Sequence, residues 1–313
     1  MHRTYGYEPV AFTTTPDGQE LENAIVFCIV KSSLVGPRLV SLPFSDHTDL
    51  LLEHQSDLSS LLTLLEQGQA DGKWKSVELR PLDHGKRFAD WANFQDGANY
   101  VIHRLDLRPC LHELFQGLHK DSIQRKIHRA RREGLRYEEG RSDSLLHEFY
   151  LLTMITRRRQ ALPPPPFVWF RNVVDCLGEQ VKIRVARSGD RAIAAILTLF
   201  YKDTLIYKYG GSDERFHNLG AMPFLIWRAI EDGKQRGVSE LDLGRSDIDN
   251  IGLITFKNRF GATQSRVTYK KFPGSKGERG KQNWQLQVAK RVFAAMPERM
   301  LVLAGKLLYP HIG

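Results

Sequence analysis

The chain has 313 residues, 42% hydrophobic and 26% charged, which is ample for two domains and ordinary for a globular protein. It contains no run of ~18 apolar residues, so no membrane-spanning helix is expected. Its three scattered cysteines, Cys28, Cys110 and Cys176, exclude both a fully paired disulfide framework and metal-ligand or redox spacing. The net charge of +9 and pI near 9.4 point to a polyanionic partner: nucleotide phosphates, tRNA or an acidic membrane surface.

The N-terminus, Met1-His2-Arg3-Thr4-Tyr5-Gly6, lacks an apolar h-region, so a signal peptide is not expected and the protein reads as cytoplasmic. Ala24 to Lys31 is an apolar strand with Cys28 as a core residue. Pro37 to Phe44 is a second strand, Leu58 to Gln67 a helix stopped before Gly68, and Trp74 to Arg80 an alternating strand. A helix from about Asp121 to Glu133 carries Ile123, Ile127 and Ala130 on one face and Arg125, Arg129 and Arg132 on another. A second helix runs from Asp143, read as its N-cap, to about Gln160. Pro163 to Pro166 is a stiff spacer, and Phe167 to Leu177 a short helix closed by Gly178.

A meander follows: strands Val181 to Arg187, Ala192 to Tyr201 and Thr204 to Tyr209, joined by Ser188-Gly189-Asp190 and Lys202-Asp203. Then come helix Met222 to Arg236, strand Glu240 to Leu243, helix Gly252 to Arg259 and strand Arg266 to Phe272. The stretch from Tyr207 to Gly261 is the most informative. It places polar and glycine residues at strand and helix junctions, where free N–H groups and a positive helix terminus hold a phosphorylated acyl donor. His112, His119 and His128 are irregularly spaced and no HExxH pattern occurs, so no metal site is expected.

From Gly274 the tail carries Lys or Arg at seven positions against Glu at two. Gly274 to Lys281 reads as a flexible basic linker. Gln285 to Met296 and Glu298 to Leu308 read as amphipathic helices separated by Pro297. Such helices either pack their apolar face on the preceding domain or lie on an anionic membrane.

The segment 120–272 resembles a GNAT acyltransferase domain, and within that superfamily the FemAB-like branch that includes the CelD/BcsL-like acetyltransferases. The resemblance rests on Arg191-Ala192-Ile193-Ala194-Ala195-Ile196-Leu197, Tyr207-Lys208-Tyr209-Gly210-Gly211-Ser212, Leu241-Asp242-Leu243-Gly244-Arg245-Ser246 and Gly252-Leu253-Ile254-Thr255-Phe256-Lys257. A weaker likeness covers Leu39 to Asp46 and Val77 to Arg80. It implies an α/β fold of two GNAT-like domains, each a mixed central sheet flanked by helices. The expected division is a degenerate domain at 1–115, a catalytic domain at 116–273 and a helical tail at 274–313.

The resemblance also implies roles. The GNAT pyrophosphate loop, R/Q-x-x-G-x-G/A, falls on Arg215 to Ala221, so Arg215, Gly220, Ala221 and Met222 are the expected donor-binding residues. Asn218 stands where the first glycine belongs, which limits close backbone approach. The FemABX branch places a Phe-Lys pair at its acceptor site, matched by Phe256-Lys257, with the lysine stabilising charge on the acyl oxygen. Asp242 alternates with Leu241 and Leu243. It is read either as the group that takes a proton from the attacking amine or as a structural partner of Arg245. Tyr207, Tyr209, Arg245 and Phe256 complete the expected substrate-binding set.

Three functions fit this reading. One is an N-acyltransferase moving an acyl group from acyl-CoA to an amine of a cell-envelope or exopolysaccharide acceptor, in which the amine attacks directly and no protein nucleophile is needed. The alternative to it is a FemABX-type aminoacyl-tRNA-dependent peptidyltransferase acting on a peptidoglycan precursor, for which the basic 120–132 helix offers phosphate contacts. The last is a non-catalytic GNAT-like module of a polysaccharide system.

Overall fold

The computed structural model describes residues 1–82, 88–273 and 289–312. In chain order the elements are α1 (His2–Tyr5), β1 (Glu8–Phe12), β2 (Ile25–Val30), β3 (Arg38–Val40), α2 (Gln55–Ala70), β4 (Ser76–Leu79) and β5 (Gln95–Asp106). Then come α3 (Leu111–Gly117), a π turn (Lys120–Gln124) leading into α4 (Arg125–Arg132), β6 (Arg136–Gly140), α5 (Asp143–Arg159) and α6 (Phe167–Leu177). They are followed by β7 (Val181–Ser188), β8 (Arg191–Tyr201), β9 (Thr204–Ser212), a 3-10 turn (Glu214–Leu219) and α7 (Ala221–Gln235). The last are β10 (Glu240–Asp247), α8 (Ile251–Asn258), β11 (Thr263–Phe272) and α9 (Glu298–Ile312), with residues 289–295 also helical. The expected basic linker from Gly274 to Lys281, and the start of the helix expected from Gln285, lie outside the described residues.

The chain divides into two compact units. Among the described residues one unit comprises 1–82, 88–100, 266–273 and 306–312, and the other 101–265 and 289–305. Both are mixed sheets flanked by helices.

In the first unit β1, β2 and β3 pair antiparallel, β3 pairs parallel with β4, and β4 pairs antiparallel with β11. α2 buries Leu58, Leu61, Leu62 and Leu65 on one face, against Phe27, Leu39 and Val77 of the sheet. Each such side chain contributes about 1.5–3 kcal/mol. Past the end of β3, Leu42 and Phe44 adopt left-handed backbone with φ 45° and 64°, a conformation that costs an L-residue roughly 1–2 kcal/mol. Arg80 offsets that cost. Its buried guanidinium donates to the carbonyls of Leu42 (3.4 Å) and Ser45 (3.0 Å) and lies 5.2 Å from the Tyr269 ring centroid. The Tyr269 hydroxyl in turn donates to the Asp46 carbonyl at 2.7 Å.

In the second unit β6, β7, β8 and β9 form an antiparallel run, and β9 pairs parallel with β10. α7 and α4 cover one face. Ile123, Ile127 and Ala130 are buried, as the helical spacing requires. The helix expected from Asp121 opens instead as a π turn, in which the N–H groups of both Ile123 and Gln124 reach the His119 carbonyl. α5 covers β8 and β9. Its N-cap is Ser142 rather than Asp143: Ser142 is extended and its hydroxyl accepts the Leu145 N–H at 3.3 Å. Asp143 is the first helical residue, where its charge favours the positive terminus.

Candidate active site

The parallel pairing of β9 with β10 covers only Thr204–Ile206 against Glu240–Asp242. β9 continues to Ser212 and β10 to Asp247 with no further mutual register, so the two strands part after Ile206 and Asp242. Past that point no ladder joins the two strands, and a parting of this kind can receive an extended substrate.

Several devices hold the strands apart. On β9, Gly211 meets α5 so closely that a Cβ would stand 2.6 Å from the backbone of Leu152 and Thr153. Beside it, the Thr156 hydroxyl bonds Ser212, accepting its N–H at 2.9 Å and donating to its carbonyl at 3.2 Å. On β10, Gly244 takes φ 72°, bending the strand, and its N–H donates to Asp242 Oδ1 at 2.6 Å. Lys257 reaches across from α8, and its Nζ donates to the carbonyls of Gly244 (2.8 Å) and Arg245 (2.9 Å). Lys257 is 3% exposed, and a buried cation is held only where hydrogen bonds replace its water. Asp242, Gly244, Arg245 and Lys257 thus form one knot at the end of the paired region of β10.

His103 on β5 is completely buried, with the Asn258 side chain as a polar neighbour and no hydrogen bond of ordinary geometry at either ring nitrogen among the described residues. Burial, reinforced by the Lys257 ammonium, pushes its pKa down to about 4, so the ring is neutral at physiological pH. Ser246 is buried with its Oγ likewise unpartnered. Sequence reasoning missed both. His103 lies on a strand it did not foresee, and its neighbour Lys257 is 154 positions away.

The expected substrate-binding residues do not share one surface. Tyr207 joins Met222 and Phe256 at the edge of the α7-side core. Its hydroxyl lies over Gly210, where a Cβ would stand 2.0 Å from it, and burial pushes the phenol up to about 12. The β8–β9 register steps from Thr198↔Tyr207 to Leu197↔Tyr209, leaving Lys208 as an extra residue. That bulge breaks the alternation and turns Tyr209 toward α6, where its hydroxyl accepts the Trp169 indole N–H at 3.0 Å and its ring meets Phe170 edge-on at 5.1 Å. Arg245 and Phe256 are half-buried.

The expected donor loop is also in view. Arg215 is drawn onto Asp213, to which its Nε (2.9 Å) and Nη2 (2.6 Å) donate. Arg191 donates to the same carboxylate at 3.0 Å. The Arg215 guanidinium, with Arg191 adding to it, holds Asp213 down to about 2. Gly220 is left-handed (φ 77°) and packs under α4, where a Cβ would stand 2.4 Å from the Lys126 carbonyl oxygen. The glycine is therefore demanded by helix packing as well as by conformation. Ala221 is buried and Met222 half-buried at the start of α7, and Pro223 removes one N–H from that terminus. Beside this turn lies a groove of about 710 Å³ lined by Asp121, Arg125, Lys126, His128, Arg129, Arg132, His217 and Asn218. Four cations against one carboxylate make it an anion-attracting surface. Among the described residues no cluster of His, Cys, Asp and Glu could hold a metal ion.

Residues 119–257 match the family model described as "Acetyltransferase (GNAT) domain". No curated protein matches the chain. Among solved structures the chain is similar to FemX, at 13% identity and TM-score 0.65, over 91% of each chain. It is also similar to the C-terminal domain (DUF2156) of a putative lysylphosphatidylglycerol synthetase from Agrobacterium fabrum, at 13% identity and TM-score 0.55, over 94% of this chain and 90% of that one. A tandem GNAT protein from the clavulanic acid biosynthesis pathway aligns at 12% identity and TM-score 0.54, over 83% and 82%.

The chain carries a GNAT domain at residues 119–257, and the parted strands lie within it. Over nearly the whole chain the fold is similar to that of FemX, and so FemAB-like.

Proposed function

We propose that the protein is an N-acyltransferase that passes an aminoacyl group from aminoacyl-tRNA to an amine of a cell-envelope precursor. In this reading 116–273 is the catalytic domain and 1–115 its degenerate companion. The observation that carries it is the Lys257 knot, a buried ammonium fixed beside the parting of β9 and β10. The acceptor nitrogen attacks the acyl carbonyl carbon, and negative charge grows on the carbonyl oxygen. A pre-positioned cation in a dry site lowers that barrier. Collapse of the adduct re-forms the carbonyl and expels the ribose oxygen of the tRNA, while the attacking nitrogen loses its proton. Asp242 is the proposed proton acceptor as well as the group that shapes the Gly244 bend. Tyr207, Arg245 and Phe256 are the proposed contacts to substrate, with Tyr209 acting from the α6 side.

The basic α4 groove favours tRNA as donor, since phosphate contacts by several cations supply most sequence-independent nucleic-acid affinity. One of the structural neighbours is titled a putative lysylphosphatidylglycerol synthetase. A second reading, transfer from acyl-CoA, is favoured by the open β9–β10 parting, which would receive an extended thioester arm, with Arg215, Gly220, Ala221 and Met222 at its phosphates.

Calorimetric titration separates the two. Saturable, salt-sensitive binding of aminoacyl-tRNA that weakens in Arg125→Ala/Arg129→Ala supports the first reading. Binding of acetyl-CoA or a longer acyl-CoA that is lost in Arg215→Ala overturns it in favour of the second. Asp242→Asn keeps an acceptor for the Gly244 N–H and removes the base, so unchanged turnover would remove Asp242 from the chemistry.

A further inference from the structure

We infer that the outer face of α9 is a docking surface for an anionic lipid bilayer. The helix carries a stripe of three large apolar side chains at i, i+3 and i+7. They are Met300, Leu303 and Leu307, which are 54%, 56% and 62% exposed. An isolated exposed leucine needs no explanation, but three in register on one helix face do.

The stripe cannot be relieved by rolling the helix, because the opposite side is fixed. Leu301 is buried, and Gly305 packs so closely that a Cβ would stand 2.1 Å from the Pro164 carbonyl oxygen. Further along, the Tyr309 ring stacks on Phe44 at 5.9 Å, and the Tyr7 hydroxyl donates to the carbonyls of Tyr309 (3.2 Å) and Pro310 (3.1 Å).

The charges around the stripe select the occupant. Arg299 and Lys306 are exposed beside it, and the sole acid of the helix, Glu298, lies 4.0 Å from Arg158 of α5. Ile155 and Leu151, one and two turns back from Arg158 on α5, are exposed as well. An apolar stripe flanked by cations is the composition of a helix that lies in the plane of an anionic interface, its apolar side chains among the acyl chains and its cations at the phosphates. A protein partner of ordinary acidic surface would use the cations and leave the leucines wet. The charge pattern and the apolar stripe are satisfied together by lipid. This inference stands on α9 alone and does not depend on the donor.

The test is co-sedimentation of the full chain with phosphatidylcholine vesicles prepared with and without phosphatidylglycerol, at low and at physiological salt. The expected result is partitioning onto the anionic vesicles that weakens with salt and falls by about tenfold or more in Leu303→Ser/Leu307→Ser. Arg299→Gln/Lys306→Gln is expected to lower the partitioning and flatten its salt dependence. Both pairs are exposed, and unchanged circular dichroism and melting temperature would confirm that the variants fold. No binding to anionic vesicles, or binding indifferent to Leu303→Ser/Leu307→Ser, overturns the inference. So does a dimer seen by light scattering that Leu303→Ser dissociates, which would assign the face to a second copy of the chain. Since the readout is partitioning rather than turnover, its failure would leave the proposed transfer reaction untouched.

Discussion

Each unit of the chain contains a parallel strand pair, and the two pairs end differently. In the first unit β3 and β4 are parallel over Arg38–Val40 and Ser76–Glu78, and beyond this pairing the Ser41 N–H still donates to the Glu78 carbonyl and the Arg80 N–H to the Ser41 hydroxyl. Arg80 turns its buried guanidinium onto the carbonyls past β3, with Tyr269 beside it. In the second unit β9 and β10 are parallel over an equally short stretch, but beyond it stand glycines and half-buried aromatics, and the buried cation comes from a helix across the site. The same three-residue pairing is thus followed by a guanidinium-braced turn in one unit and by parting strands in the other. What differs is where the cation is attached. Arg80, one residue past β4, spans Glu78 and the turn that follows β3, whereas Lys257 on α8 binds carbonyls of β10.

Four experiments bear on that comparison. The largest effect is expected at Lys257. Lys257→Ala should lower kcat by about 100–1,000-fold if the lysine stabilises the oxyanion, whereas Arg80→Ala should leave kcat of the folded protein unchanged. Steady-state turnover of both variants decides this, and equal losses would erase the distinction between the two seams.

Next is His103. Its folded pKa, near 4, lies below its unfolded value, so the native state binds fewer protons than the unfolded chain between those values. Stability is therefore full above about pH 6.5 and is lost as pH falls toward 4, by roughly 3 kcal/mol in all. Denaturant titrations across that range should show the slope, and His103→Leu should flatten it.

Arg80→Ala is expected to destabilise the protein by about 2–3 kcal/mol, because the two carbonyls lose a charged donor and the left-handed turn loses its brace. A shift in urea midpoint measures it. The smallest effect is Gly210→Ala, whose Cβ meets the Tyr207 hydroxyl. It should cost about 1 kcal/mol, and Tyr207→Phe should recover part of that cost in a double-mutant cycle.

Much of the second unit is legible from residue order. The helix Phe167–Leu177 and the meander β7–β8–β9 fall where apolar period and turn residues place them, as do α7 and α8 to within a residue. The stripe Ile123, Ile127 and Ala130 is buried because a 3.6-residue period leaves it no other place. The legible part of the candidate site is its composition: the Phe256-Lys257 pair, Asp242 in an apolar strand, the glycines at 210, 211 and 220. Its geometry is not legible. β1, β5 and β6 lack a clean alternation and escape sequence reading, and His103 escapes with β5. Tyr207 and Tyr209 look like neighbours on one face until the extra residue at Lys208 separates them. Arg215 looks like an open phosphate ligand until the fold supplies Asp213.

Sequence by itself therefore determined most elements of the second unit, the GNAT-like order and the residue types available for acyl transfer, because period, turn chemistry and charge act over a few neighbouring residues. Only the tertiary structure decided which carbonyls Arg80 and Lys257 bind, that a neutral histidine lies beside Lys257, and that the α9 stripe stays outside. Those outcomes depend on groups more than a hundred positions apart, such as Lys257 and His103 or Arg80 and Tyr269. Burial sets the strength of their interactions, and no local pattern encodes it.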